Sequence, residues 1–124
     1  MRNSPTKVED FTNDEEIQKT YYPEIEKLLK DATGASKVIV FDHTLRKSSV
    51  KNLNTLGAKG AAAGSVARVH CDYTAESAPR RFKQLSEKES YTGTKLDPVE
   101  VEELSKKRFA FINVWRNCNK YPVQ

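Results

Sequence analysis

The chain has 124 residues, enough for one domain with a hydrophobic core and too few for two domains of ordinary size. Hydrophobic residues make up 37% of the chain and charged residues 31%, which indicates a folded, rather polar protein and excludes wholesale disorder. The net charge of +4 is typical of proteins that bind nucleic acid. However, the basic residues do not form one stripe and no nucleic-acid-binding motif accompanies them, so we expect no nucleic-acid partner.

The expected location follows from segments that the sequence lacks. No apolar run approaches the roughly 20 residues that a membrane helix requires, and the N-terminus has no apolar signal segment. We therefore expect a soluble, cytoplasmic protein without a membrane partner. Cys71 and Cys118 are isolated along the chain, and in the cytoplasm both are expected to be reduced thiols.

The first part of the chain predicts a lead-in followed by helices. Residues 1–12 are polar and aperiodic, as expected of a flexible tail, and residues 13–124 are expected to form a single domain. Asn13, followed by three acidic residues, predicts a helix start. Pro23 in the stretch YPEIEKLLKDATG predicts a second or kinked helix, which ends at Gly34.

A strand and a loop are predicted next. Residues 37–46, KVIVFDHTLR, contain four consecutive apolar residues of high β-propensity, which predicts a buried strand. Residues 47–64 are small and rich in glycine, which predicts a mobile loop.

Residues 65–73, SVARVHCDY, alternate in polarity as a half-buried strand does. Alternate side chains of a strand share a face, so Arg68, His70 and Asp72 are expected on one face. Cys71 is expected on the other, apolar face as a buried, inert thiol. A converging imidazole and carboxylate are able to hold a metal ion, and the alternative is a structural hydrogen-bonded pair.

The last part predicts two helices and a final strand. Thr74 is expected to cap a helix through AESAPRRFKQLSEK, and Asp97 a short helix that has a proline at its first position. Residues 108–116, RFAFINVWR, then alternate as a mostly apolar strand. One face of this strand holds Phe109, Phe111, Asn113 and Trp115. Its aromatic residues are expected in the core.

The order of these motifs resembles the fungal hydroxylase/desaturase family, which includes gibberellin-desaturase-like and cephem-methoxylase-related proteins. The resemblance covers roughly residues 37–123 and depends most on VHCDYT with the following SAPRR, and on INVWR. Asn117 stands where the family usually has proline. Members of this family are similar to non-haem iron oxygenases that use 2-oxoglutarate.

The resemblance implies an α+β fold, in which N-terminal helices precede part of a double-stranded β-helix, or jelly-roll, sheet. The barrel is expected to be incomplete, with exposed strand edges that favour self-association. His70 and Asp72 match the family's metal ligands, whereas His43 has no ligand role in it. The side chains expected to line the substrate or cosubstrate are Arg68, Asn113 and Arg116. The family's distal histidine and its 2-oxoglutarate-binding arginine are expected beyond the end of this chain.

Two functions follow from these residues. The first is an oxidoreductase of fungal secondary metabolism that uses Fe(II), O2 and 2-oxoglutarate to hydroxylate or desaturate a small organic substrate, represented here by a truncated chain. The second is a noncatalytic remnant or binding module, in which His70 and Asp72 form only a structural hydrogen bond.

Overall fold

A computed structural model of the chain describes residues 4–46, 69–90 and 93–118. Its helices are α1 (Asp14–Glu16), α2 (Tyr22–Thr33), α3 (Ser77–Glu87) and α4 (Pro98–Ser105), and a π-helical turn (Ile17–Tyr21) joins α1 to α2. The chain forms two compact units. The first consists of Met1–Val40 together with Ile112–Gln124, and the second is Phe41–Phe111.

The start of α1 follows the prediction. The side-chain oxygen of Asn13 accepts hydrogen bonds from the backbone N–H groups of Glu15, at 3.1 Å, and Glu16, at 3.2 Å. These donors have no partner within the helix, so the cap satisfies two groups that would otherwise depend on water. The predicted helix start at Asn13 is confirmed.

The passage from α1 to α2 is shaped by Pro23. Proline has no backbone N–H, and its ring crowds the carbonyl group four residues earlier, which belongs to Lys19. The π-helical turn contains Lys19 and is wider than an α-helical turn, so it accommodates the proline without ending the helix. At the other end of α2, Gly34 adopts a left-handed φ of 72°, as the predicted glycine cap requires.

Thr6 and Lys7, within the predicted tail, contact α2. Val8 is buried, the hydroxyl of Thr6 donates a hydrogen bond of 2.5 Å to Glu24, and the backbone N–H of Lys7 donates one of 2.9 Å to the same carboxylate. The prediction that residues 1–12 form a flexible tail stays a prediction. The contacts above lie within that segment.

The core of the second unit lies between α3 and α4. Its buried side chains are Phe82, Leu85 and Val101, and the partly buried side chains packed on them are Phe41, Leu96, Leu104 and Phe111. Leu85 is the most deeply buried of them, with 2% of its surface exposed. The segment before α4 is fixed to α3 because the backbone N–H of Leu96 donates a 2.8 Å hydrogen bond to the carbonyl of Leu85.

The start of α4 also follows the prediction. A carboxylate oxygen of Asp97 accepts hydrogen bonds from the N–H groups of Val99, at 2.7 Å, and Glu100, at 3.3 Å. Pro98 occupies the first helical position, where its missing N–H costs no hydrogen bond. The helix therefore begins where its sequence favours it.

The predicted α+β fold with part of a jelly-roll sheet is wrong for the residues that the structure describes, because they are helical and contain no β-strand. Residues 37–46 and 108–116 carry no helix either, and residues 65–68 of the middle strand lie outside the described part. Alternating polarity shows only that a segment can lie half-buried in an extended form. A strand also requires a neighbour that pairs with it over several residues, and local sequence does not supply one.

The prediction that the aromatic residues of 108–116 lie in the core is correct for only one of three. Phe111 packs on the core of the second unit, whereas Phe109 is 38% exposed and Trp115 is 78% exposed. Without a sheet in the described residues, no second layer covers the outer rings.

Two valines of α4 provide a test of this packing. Val101 is 4% exposed, whereas Val99, two residues earlier and on another side of the same helix, is 69% exposed. We expect Val101→Ala to lower the free energy of unfolding by about 1.5–3 kcal/mol, because it removes buried methyl groups and leaves a cavity. The matched control Val99→Ala should change it by less than about 0.5 kcal/mol. Urea denaturation measures both, and equal effects would contradict the packing.

Candidate functional site

His70 and Asp72 lie in a non-helical segment shortly before α3. The Nε2 atom of His70 is 3.2 Å from a carboxylate oxygen of Asp72, and the two side chains are 51% and 43% exposed. The structure thus brings together the two residues that the sequence singled out. Their role as metal ligands stays a prediction.

The neighbours of this pair do not form the predicted apolar face. Val69 is fully exposed and the thiol-bearing Cys71 is exposed as well. The prediction of a buried, inert Cys71 is therefore wrong, because nothing in the described part of the chain forms a second layer over that side. Arg68, predicted to line the substrate or cosubstrate, lies outside the described residues.

A reciprocal pair of hydrogen bonds fixes the entry from this segment into α3. The backbone N–H of Thr74 donates to the hydroxyl of Ser77 at 2.8 Å, and the N–H of Ser77 donates to the hydroxyl of Thr74 at 3.1 Å. Sequence reasoning identified Thr74 as a cap but missed Ser77, although the spacing of three residues is that of a capping box.

The donor set of the pair suits two ligand positions of a ferrous ion. An imidazole nitrogen and a carboxylate oxygen are two of the ligand types that non-haem Fe(II) takes in 2-His-1-carboxylate sites. Two such ligands, each roughly 2.1 Å from one ion and at right angles, lie about 3.0 Å apart. The 3.2 Å between His70 and Asp72 is close to that separation.

A complete ligand set is not found in the part of the chain that the structure describes. It holds no group of three or more His, Cys, Asp or Glu side chains able to bind a metal ion. The absence of a ligand role for His43 stays a prediction.

Asp42 and Arg81, from the FDHTLR and SAPRR motifs, both belong to the second unit. Partial burial raises the pKa of the Asp42 carboxyl, and a hydrogen bond from the backbone N–H of His43 and the charges of His43 and Arg81 lower it again in part. The Arg81 guanidinium lies over the ring of Phe41, 5.5 Å from its centre. The two motifs therefore interact, and their contacts brace the segment that follows Phe41.

Arg116 and Asn113, the other predicted lining residues, belong to the first unit. The guanidinium of Arg116 donates hydrogen bonds to the Tyr21 hydroxyl, at 3.0 Å, and to the Ser4 carbonyl, at 2.5 Å. It also lies over the Tyr21 ring, 5.3 Å from its centre. These contacts tie the INVWR motif to the π-helical turn and to the start of the chain, and a lining role for Arg116 and Asn113 stays a prediction.

Glu24 lies in the same electrostatic environment as Arg116. Burial acts to raise the pKa of its carboxyl, but the hydrogen bonds from Thr6 and Lys7 and the positive charges of Arg116 and Lys7 outweigh it, so the pKa is lowered. This carboxylate therefore favours the folded state where it is ionised. No signal in the sequence joined these residues, because Thr6 and Arg116 are far from Glu24 along the chain.

Comparison with known proteins gives the family of the chain. A model of the YDMC family, described as an oxidoreductase/YMDC permease-like domain, matches residues 1–124, and the chain belongs to this family. Within the described residues, no helix is long and apolar enough to cross a membrane. No solved structure matches the chain significantly.

Several curated relatives carry names of oxidative enzymes. The alpha-ketoglutarate-dependent dioxygenase phiK of Fungal sp. is 43% identical over 51% of this chain and 23% of its own length. The oxidoreductase AN1597 of Emericella nidulans is 32% identical over 86% of this chain and 33% of its own length. The hydroxylase/desaturase efuI of Hormonema carpetanum is 28% identical over 91% of this chain and 37% of its own length.

These relatives confirm the resemblance to fungal hydroxylase/desaturase proteins that the motifs indicated. The matches extend over 23% to 57% of the lengths of the curated relatives, so the chain spans less than two thirds of each. Their names describe those longer proteins.

The Thr6–Glu24 hydrogen bond makes stability depend on pH. Because the folded-state pKa of Glu24 lies below its ordinary value of 4.5, its contacts stabilise the fold above that value, and the stabilisation is lost as pH falls through the lowered pKa. We expect Thr6→Val to lower the free energy of unfolding by about 0.5–1 kcal/mol at neutral pH. The variant should also lose less stability than the wild type on acidification, since part of the contribution is already missing.

The measurement is urea denaturation at a series of pH values from about 6 to about 3. Thr33→Val is the matched control, because the Thr33 hydroxyl donates to the Leu29 carbonyl and not to a carboxylate. An acid dependence of Thr6→Val identical to that of the wild type would refute the role given to Glu24.

Proposed function

We propose that the chain is part of an oxidoreductase of the hydroxylase/desaturase type, as found in fungal secondary metabolism. The proposal extends to Fe(II), O2 and 2-oxoglutarate as cofactor and cosubstrates, and to a small organic molecule as the substrate. One observation carries it: within the VHCDYT motif, His70 and Asp72 converge to 3.2 Å. The names of the longer relatives support the same class of reaction.

In this proposal each residue of the pair has a defined task. His70 offers the Nε2 lone pair of a neutral imidazole, and Asp72 offers a carboxylate oxygen from the adjacent direction. Fe(II), when bound, supplies the activation of O2 that removal of hydrogen from carbon requires. The third ligand and the arginine that binds 2-oxoglutarate are proposed to lie outside the residues that the structure describes.

The partners and the location in the cell are proposed on the same basis. We propose a small-molecule substrate as the partner, and neither nucleic acid nor a membrane. We propose the cytoplasm as the location. We also propose that the chain self-associates, and the molecular mass of the protein in solution would test this.

A noncatalytic binding module is the second candidate. The observation in its favour is that the His70–Asp72 pair is half exposed and that the described residues hold no third ligand. The same 3.2 Å contact then serves only as a structural hydrogen bond at the surface, which contributes about 0–1 kcal/mol to stability.

Metal binding separates the two candidates. We expect the wild-type chain to bind Mn(II), used without oxygen as an inert substitute for Fe(II), and we expect His70→Ala to weaken that binding at least about 10-fold, because one ligand is lost. Asp72→Asn should act in the same direction. The matched control is His43→Ala, which removes the only other histidine and should bind as the wild type does.

Electron paramagnetic resonance of free Mn(II) measures each affinity, with and without 2-oxoglutarate. Binding that is equally strong in His70→Ala and His43→Ala would reject the metal role and leave the binding module.

A further inference from the structure

Residues 69–73 hold the His70–Asp72 pair but are themselves poorly packed. Every residue from 69 to 72 is exposed, and Tyr73 is the one member of the segment that is partly buried. Exposed non-helical segments open easily, and an exposed ion pair is too weak to fix two side chains by itself. Tyr73 is therefore the residue of this segment whose side chain is anchored by packing.

Tyr73 is held by an aromatic stack. Its ring lies on that of Phe111, with the ring centres 4.6 Å apart and the planes 28° from parallel. Phe111 in turn packs on the core between α3 and α4, and its ring meets that of Phe41 edge-on at 5.6 Å. Such ring contacts add directional attraction to the burial of apolar surface. Tyr73 is thus connected to the buried core of the second unit.

A second contact fixes the backbone directly after Tyr73. The N–H of Thr74 donates to the Ser77 hydroxyl at the start of α3. With the ring of Tyr73 stacked and the next peptide group bonded, the backbone at Asp72 has little freedom at its C-terminal side.

We propose that Tyr73 and Phe111 are positioning residues, whose stacking holds Asp72 in the direction that meets His70. The chemical purpose of this geometry rests on the proposed function, whereas the positioning itself is a property of the chain without metal. The two are therefore testable separately.

The test uses nuclear magnetic resonance of the metal-free, isotope-labelled chain. With only two histidines, the spectrum contains two imidazole ring systems, of which His43 is the internal reference. In the wild type we expect nuclear Overhauser contacts between the ring protons of His70 and the β-protons of Asp72. In Phe111→Leu, which keeps an apolar side chain but removes the ring, these contacts should be lost.

Phe109→Leu is the matched control. Phe109 lies two residues before Phe111, and its ring stacks on Phe82 at 5.1 Å. Phe109 also meets the Phe111 ring edge-on, with the ring centres 6.1 Å apart. This variant loses an aromatic ring from the same segment but keeps both rings of the Tyr73–Phe111 stack, so it should retain the contacts between His70 and Asp72. Loss of these contacts to the same extent in both variants would overturn the proposal. It would show that removing any ring from this segment disturbs the pair, with no specific role for the stack.

Substitution of Tyr73 tests the other ring and keeps the proposal falsifiable if Phe111→Leu fails to fold. Tyr73→Phe retains the stack and should retain the contacts between His70 and Asp72, whereas Tyr73→Leu should lose them. Retained contacts in Tyr73→Leu would overturn the proposal. Circular dichroism verifies that each variant is folded.

Adding Mn(II) to the wild type in the same experiment separates this inference from the proposed function. Selective broadening of the His70 ring signals supports the metal role. If neither imidazole broadens while the variants behave as expected, the proposed function fails and the positioning role of Tyr73 and Phe111 stands.

Discussion

The packing of α3 on α4 around Leu85 is the contact on which the second unit depends. In the part of that unit that the structure describes, the non-helical segments form no strand, so side-chain packing contributes to holding them. One aromatic ring attaches each of three such segments to the core, directly or through a neighbour: Phe41, Tyr73 and Phe111. The FDHTLR and VHCDYT motifs therefore meet Phe111 at one aromatic cluster, although they are far apart along the chain.

The helix ends could be predicted from the sequence because their causes are local. The caps at Asn13 and Asp97 involve hydrogen bonds across two or three residues, and Gly34 needs only its own left-handed conformation. The predicted strands depended on partners elsewhere in the chain, which alternation does not specify. Pro23 was recognised as an interruption, but the π-helical turn that accommodates it was not.

The candidate site was predicted in part for the same reason. Convergence of His70 and Asp72 requires only a locally extended backbone, so it remains although its supposed strand is absent from the described residues. Burial of Cys71 required a covering layer, and that prediction was wrong. The contacts of Arg116 with Tyr21 and Ser4 join the two ends of the chain, and no local pattern could indicate them.

The proposed positioning of the pair by Tyr73 and Phe111 bears on the choice between the two functions. A structural ion pair at the surface tolerates rotation and exchange with water, since its energy is small in either arrangement. A pair of metal ligands does not, because the ion demands two donor atoms at fixed distances, and reorganisation of a mobile segment would be subtracted from the binding free energy. The stack of Tyr73 on Phe111 supplies order at the place where exposure would otherwise remove it. In the proposed metal site, a stack that orders the exposed imidazole and carboxylate before the ion binds would reduce this cost.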